Sequence, residues 1–149
     1  MIEVSFDAAG LGDVSALAEM MRAFNELEHI RFDEAEVRAA LAHLLGDESL
    51  GRVWLMRSGA EVVGYVVLTF GFSLEFRGRD AIVDELFVRE EWRGRGAGRQ
   101  ALEFVAGFCR ARGARALHLE VERANTAAQT LYRKAGFLDH GRHLLTKWL

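Results

Sequence analysis

Between an apolar stretch ending at Val88 and an amphipathic stretch opening near Gly98, the chain runs Arg93-Gly94-Arg95-Gly96-Ala97-Gly98. Glycine at alternate positions permits backbone angles closed to other residues, so several N–H groups can turn to one side with no Cβ in the way. A strand that leads through such a turn into a helix commits this part of the chain to an α/β architecture. The unpaired amides at the helix start add a positive dipole end. The turn is a candidate anion cradle suited to a pyrophosphate, with Arg93, Arg95 and Arg99 supplying mobile positive charge at its rim. Two other phosphate turns do not fit. No Lys-Ser or Lys-Thr follows the glycines, as a P-loop requires. The G-x-G-x-G spacing, set back from its strand, departs from the dinucleotide fingerprint.

Periodicity places the remaining elements. Residues 1–7 alternate Ile2, Val4 and Phe6 against Glu3 and Ser5, as in a half-buried strand. From Asp13, Val14, Leu17, Ala18, Met21 and Phe24 recur at helical spacing, and Asp33 with Glu36 has the form of a capping box ahead of Val37, Ala40, Leu41 and Leu44. Val53 to Arg57, a Ser58-Gly59 turn and Val62 to Phe70 predict a hairpin whose second arm, almost wholly apolar, belongs at the centre of a sheet. Ile82 to Val88 is a further strand. After the glycine turn comes a helix with Ala101, Leu102, Val105 and Cys109 on one face, then a strand over Leu117 to Val121. A helix over Asn125 to Ala135 is closed by Gly136, and two short strands are expected around Gly141. The order is β-αα-βββ-α-β-α-ββ in a single domain over 1–149, with no repeat and no linker. Proline is absent, so glycine carries much of the punctuation.

Charge and composition narrow the partners. Nineteen Lys and Arg against twenty-two Asp and Glu give a net charge of −3, too acidic for bulk attraction to nucleic acid or an anionic membrane. No apolar run approaches the roughly 20 residues that span a bilayer, and the opening MIEVSF has no signal-peptide pattern, so a cytoplasmic protein is expected. The single Cys109 leaves no internal disulfide and falls on the apolar stripe of its helix, a packing position. His29, His118, His140 and His143 lack metal-ligand spacing, and no metal is expected. Phe70 to Phe76 either lines a cleft or caps a hairpin.

A second motif lies downstream. Asn125, Ala128, Leu131, Tyr132, Gly136 and Phe137 spell N-x-x-A-x-x-L-Y-x-x-x-G-F, with Asn125 and Tyr132 two helical turns apart on nearly one face. Strand, R-x-x-G-x-G, helix, strand and then this motif resemble the acetyl-CoA-dependent N-acetyltransferases of the GNAT superfamily. The specific likeness is carried by ELFVREEWRGRGAGRQAL and LEVERANTAAQTLYRKAGF, with Glu90 standing where many members have proline. The resemblance implies a mixed, splayed central sheet flanked by helices. It implies that the amides of Gly94, Arg95, Gly96, Ala97, Gly98 and Arg99 hold the pyrophosphate of coenzyme A, and that the main chain of Leu86, Phe87 and Val88 pairs with the pantetheine arm. An exposed amide of Phe87 or Val88 polarises the acetyl carbonyl. Asn125 bonds the pantetheine or the strand ends, and Tyr132 sits by the sulfur to protonate the departing thiolate.

An alkyl ammonium of pKa near 10.4 is neutral to only ~4 parts in ten thousand at pH 7, a deficit of roughly 4.6 kcal/mol, so the reaction wants a base or a water wire. Asp84 and Glu85 are adjacent on the strand and face opposite ways, so one of them faces the acceptor. Glu120, where some members of the family place a catalytic Glu, is the third candidate. The acidic pair resembles that of polyamine and related small-amine acetyltransferases, which makes a small cationic primary amine the first expected acceptor. A peptide N-terminus or protein Lys is the second. A non-catalytic acyl-CoA-binding module, against which Tyr132 and Asn125 argue, is the rival of another class. A homodimer stays open.

Overall fold

A computed structural model describes residues 1–149. Strand β1 (Ser5–Ala8) leads through a 3-10 turn at Leu11–Asp13 into α1 (Val14–Leu27) and α2 (Glu34–Gly46). There follow β2 (Gly51–Ser58), β3 (Glu61–Ser73), β4 (Gly78–Val88), a 3-10 turn at Glu90–Trp92, α3 (Ala97–Ala111), β5 (Ala116–Leu119) and α4 (Thr126–Lys134). The sheet order is β1-β2-β3-β4-β5, antiparallel except for the parallel β4–β5 pair. This is the mixed, flanked sheet expected from the sequence.

The alternation of β2, β3 and β4 splits the core in two. Val53, Leu55, Tyr65, Val67 and Phe87 face α1 and α2, where Leu17, Met20, Met21 and Leu41 meet them. Trp54, Val66, Leu68, Ala81 and Val83 face α3, against Leu102, Val105 and Cys109. β3, paired on both edges and buried through its middle, is the central strand its apolar run predicted. Asp33 caps α2 by accepting the N–H of Glu36 at 3.0 Å.

Two expectations are corrected, at residues 1–4 and around Gly141, and between them the open alternative at Phe70 to Phe76 is decided in favour of the hairpin. Residues 1–4 do not join β1. They lie as a strap on the glycine turn, Ile2 N–H donating to Arg95 O at 3.0 Å and Val4 N–H to the side chain of Gln100 at 3.0 Å. Phe70 to Ser73 extend β3, and Leu74 to Arg77 form the tip of the β3–β4 hairpin, with Arg77 at φ 64 and Phe76 beside His118. The two strands expected around Gly141 do not form. Residues 138–149 make no main-chain to main-chain hydrogen bond, because no strand of their own chain lies alongside them to pair.

Candidate active site

Two sheet irregularities build the site. β4 pairs with β5 only from Asp80↔Ala116 to Val83↔Leu119, and beyond Val83 the strands diverge. At the same level a bulge in β4 leaves Asp84 without a partner in β3, Val67 facing Glu85 and Leu68 facing Val83. A bulge re-aims side chains. Here Val83 and Leu86 turn to the α3 side while Glu85 and Phe87 turn with Tyr65 to the α1 side. A crevice of about 110 Å³ opens where the strands part, lined by Ile82, Val83, Asp84 and Glu120. The larger cavity, about 350 Å³, lies at the other end of β4 against Phe70, Arg79, Asp80, Cys109 and Arg112, away from the glycine turn. Its Cys109 thiol is pushed up by burial, as befits a packing residue.

The open edge of β4 runs from the bulge to Val88. Arg89 N–H donates to Val63 O at 2.8 Å. In an antiparallel ladder alternate residues face the same neighbour, so Phe87 N–H also points into the sheet while Leu86 and Val88 point outward. That removes Phe87 as the exposed amide and leaves Val88. The carbonyl of Val88 is taken, accepting from Arg93 Nε at 2.8 Å.

Past Val88 the turn takes the form its glycines allow. Gly94 has φ 72 and Gly96 has φ 87, both left-handed, whereas Gly98 lies inside α3 and is small for another reason. A Cβ there would stand 3.3 Å from Leu131 Cδ2, so the missing side chain lets α4 approach α3. No N–H from Gly94 through Arg99 has a hydrogen-bond acceptor in the structure. Bare amides in a run at a helix start are able to accommodate an anion. The arginines are held rather than mobile. Arg93 bonds Val88 O, Arg95 lies over the Trp92 ring at 5.2 Å, and Arg99 pairs with Glu103 at 3.0 Å and with Met1 Sδ at 3.0 Å. Met1 lies against Gly96, and Gln100 ties the same strap down by donating to Ile2 O at 2.7 Å. Nothing in the sequence pattern singled out this buttress.

Asn125 caps α4, its Oδ1 accepting the N–H of Ala128 at 3.1 Å. Tyr132 packs edge-on to Phe137 at 6.1 Å, and burial, with the charge of Glu28 on the end of α1, raises its phenol above the ordinary tyrosine value. The phenol is thus a proton donor at neutral pH. Glu85 accepts a hydrogen bond from Tyr65 Oη at 2.7 Å, and burial raises its carboxyl above the usual range despite that bond. Asp84 is also raised, by desolvation, and Glu120 stands exposed at the crevice mouth. Sequence reasoning missed Tyr65, buried completely in the α1-side core, and Asn25, the one buried polar residue of the chain. Asn25 follows Leu17 and Met21 at four-residue spacing on the face of α1 turned to the sheet. Only the strand register could have joined Tyr65 to Glu85.

Residues 17–137 match the model of the acetyltransferase (GNAT) family. The chain belongs to the GNAT family. It is an N-acetyltransferase, and the family generally uses acetyl-CoA. Among solved structures, an integron cassette protein from the mobile metagenome of Cole Harbour Salt Marsh is 39% identical, with a TM-score of 0.86 over 97% of this chain and 90% of its own. An uncharacterised N-acetyltransferase of Bacillus subtilis, YhfO, is 28% identical over 87% of this chain and 86% of its own. Thialysine N-epsilon-acetyltransferase of Bos taurus is 33% identical over 54% of this chain and 47% of its own. This GNAT chain has no helix long and apolar enough to cross a membrane, and no group of side chains arranged to hold a metal ion.

Proposed function

We propose that this acetyltransferase passes the acetyl group of acetyl-CoA directly to the primary amine of a small cationic molecule. The observation that supports the acceptor class is the acidic character of this region: Asp84 and Glu120 line the crevice where the strands part, Glu85 meets Tyr65 on the α1 side, and the charge of Glu28 is felt at Tyr132. The thialysine acetyltransferase, named for a small amine, lends support from the relatives.

The residues fit the coenzyme. Bare amides from Gly94 to Arg99 suit its pyrophosphate, and the outward main-chain groups of Leu86 with the N–H of Val88 suit its pantetheine amides. When bound, acetyl-CoA supplies an acyl thioester open to attack by an amine. Val88 N–H donates to the carbonyl oxygen as negative charge gathers there. Glu85 takes a proton from the incoming ammonium, directly or through water, and releases it to solvent. Tyr132 gives its proton to the departing sulfur and regains one from the acylated nitrogen. Tyr65 is a positioning residue. By engaging one oxygen of Glu85 it leaves the other free to act as base, and it favours the ionised form.

The test is a thiol-release assay with acetyl-CoA against diamines, polyamines, lysine analogues and peptides with a free N-terminus. Turnover restricted to peptides would overturn the acceptor class. The acid side of the pH profile gives a second check. Because burial raises Glu85, kcat/KM should climb with pH through a midpoint above the ordinary Glu range of about 4.3. Removing the Tyr65 donor takes away a bond to the charged form, so in Tyr65→Phe the midpoint should move up by about one unit. That is roughly a tenfold loss on the acid side, with little change on the alkaline plateau. An unshifted limb in Tyr65→Phe removes the positioning role. A limb that persists in Glu85→Gln removes Glu85 as the base.

A further inference from the structure

Asn25 is a buried polar side chain that the fold itself leaves unused. It is 7% exposed, the one polar residue of the chain so enclosed, and it follows Leu17 and Met21 on the face of α1 that packs on the sheet. Its main chain is committed, Asn25 O accepting the N–H of Ile30 at 2.9 Å where the helix closes on a left-handed His29. Its carboxamide is not, for neither Oδ1 nor Nδ2 has a hydrogen-bond partner. No side-chain nitrogen or oxygen shut off from solvent lacks a partner anywhere in the chain, so the two ends of this carboxamide border open space. An amide held in the core without a bond costs stability, and such a group calls for a partner from outside the fold.

Two contacts locate that space. Earlier on the same helix Glu19 pairs with Arg89 at 3.5 Å, next to Val88. About one turn beyond Asn25, Glu28 stands close enough for its charge to act on the Tyr132 phenol. Along α1, Asn25 thus falls between the end of β4 that meets the carbonyl oxygen and the phenol that meets the sulfur. We propose that Asn25 Oδ1 accepts an N–H from the acceptor nitrogen during attack and thereby selects primary over secondary amines, which rests on the direct transfer to an amine proposed above. The selection follows from the protons on nitrogen. A primary ammonium has three. Glu85 takes one, the C–N bond forms with two left, Tyr132 recovers one as the C–S bond breaks, and the amide product keeps the last on Asn25 Oδ1. A secondary amine has a single proton once Glu85 has acted. Tyr132 takes it, and Asn25 is left facing an alkyl group with its oxygen unpaired, a mismatch of the kind that discriminates strongly in a buried site.

The test compares the parent with Asn25→Leu, which keeps a branched side chain and removes the carboxamide, on 1,5-diaminopentane and on its N,N′-dimethyl derivative at saturating acetyl-CoA. In Asn25→Leu kcat/KM for the diamine should fall tenfold or more and that for the dimethyl derivative less than threefold, so that the preference for the primary amine shrinks. KM for acetyl-CoA should not move. The melting temperature should hold or rise, because an amide without a partner adds nothing to the folded state. Parental kcat/KM on the diamine in Asn25→Leu overturns the inference. An equal loss on both amines with a lowered melting temperature also overturns it, since Asn25 would then act through packing alone. A parent that leaves both diamines untouched and acetylates a peptide N-terminus ends the small-amine reading and not this one, and the same comparison then decides it on that peptide and its N-methyl form.

Discussion

Gly96→Val is expected to weaken coenzyme A binding by ~10²-fold or more, because the backbone angles of the turn are closed to a β-branched residue. Gly96 holds φ 87, a conformation that costs a β-branched residue about 1–3 kcal/mol, and the turn relieves that strain by rotating away from the shape that bares its amides. A Cβ would also stand 2.9 Å from Cγ of the exposed Met1 side chain, which can shift aside at little cost. Each amide turned aside loses a charge-assisted hydrogen bond to the diphosphate. Titration calorimetry with coenzyme A measures the change. Gly94→Ala is the informative companion, since φ 72 is strained for alanine but nothing lies within 4 Å of the added Cβ. Its loss should be intermediate. Affinity within threefold of the parent in Gly96→Val would remove the cradle from the account.

Tyr132→Phe is expected to lower kcat by ~10², about 2.7 kcal/mol of barrier, with KM for acetyl-CoA nearly unchanged. The ring keeps its packing against Phe137 while the proton donor is lost, so the effect should appear in turnover and not in binding. The elevated phenol pKa adds a signature: the parent should keep its activity at alkaline pH past the point where an ordinary tyrosine ionises, about 10. Single-turnover measurement of thiol release separates this from product dissociation. A kcat within threefold of the parent would assign the protonation of sulfur to water.

Much of this was legible in the sequence. The apolar alternation of β2 and β3, the stripe Ala101, Leu102, Val105 and Cys109 on α3, and the Asp33 cap report local periodicity and local hydrogen bonding, and all stand where they were expected. So does the strand–turn–helix around Gly94 and Gly96, since left-handed angles are a property of the residue itself. Asn125 was legible as a residue, and next to Thr126 and three before Ala128 it also has the form of a cap, which forms through its Oδ1 and leaves its amide N–H donors uncommitted to that bond. The tail misled for a different reason. Arg142 to Leu149 has the composition of a strand, but a strand exists only where an edge pairs with it.

The sequence by itself determined the family, the order of elements as far as α4 and the left-handed glycines of the turn, because helical periodicity, glycine's backbone freedom and capping act over a few neighbouring residues. Tertiary structure alone decided which carboxylate faces which way, since a one-residue bulge at Asp84 turns Glu85 onto Tyr65, and which amide of β4 is bare, since that follows from pairing with β3. Those outcomes depend on register between strands distant in sequence, where a shift of one residue exchanges the two faces of the sheet and leaves the local pattern unaltered.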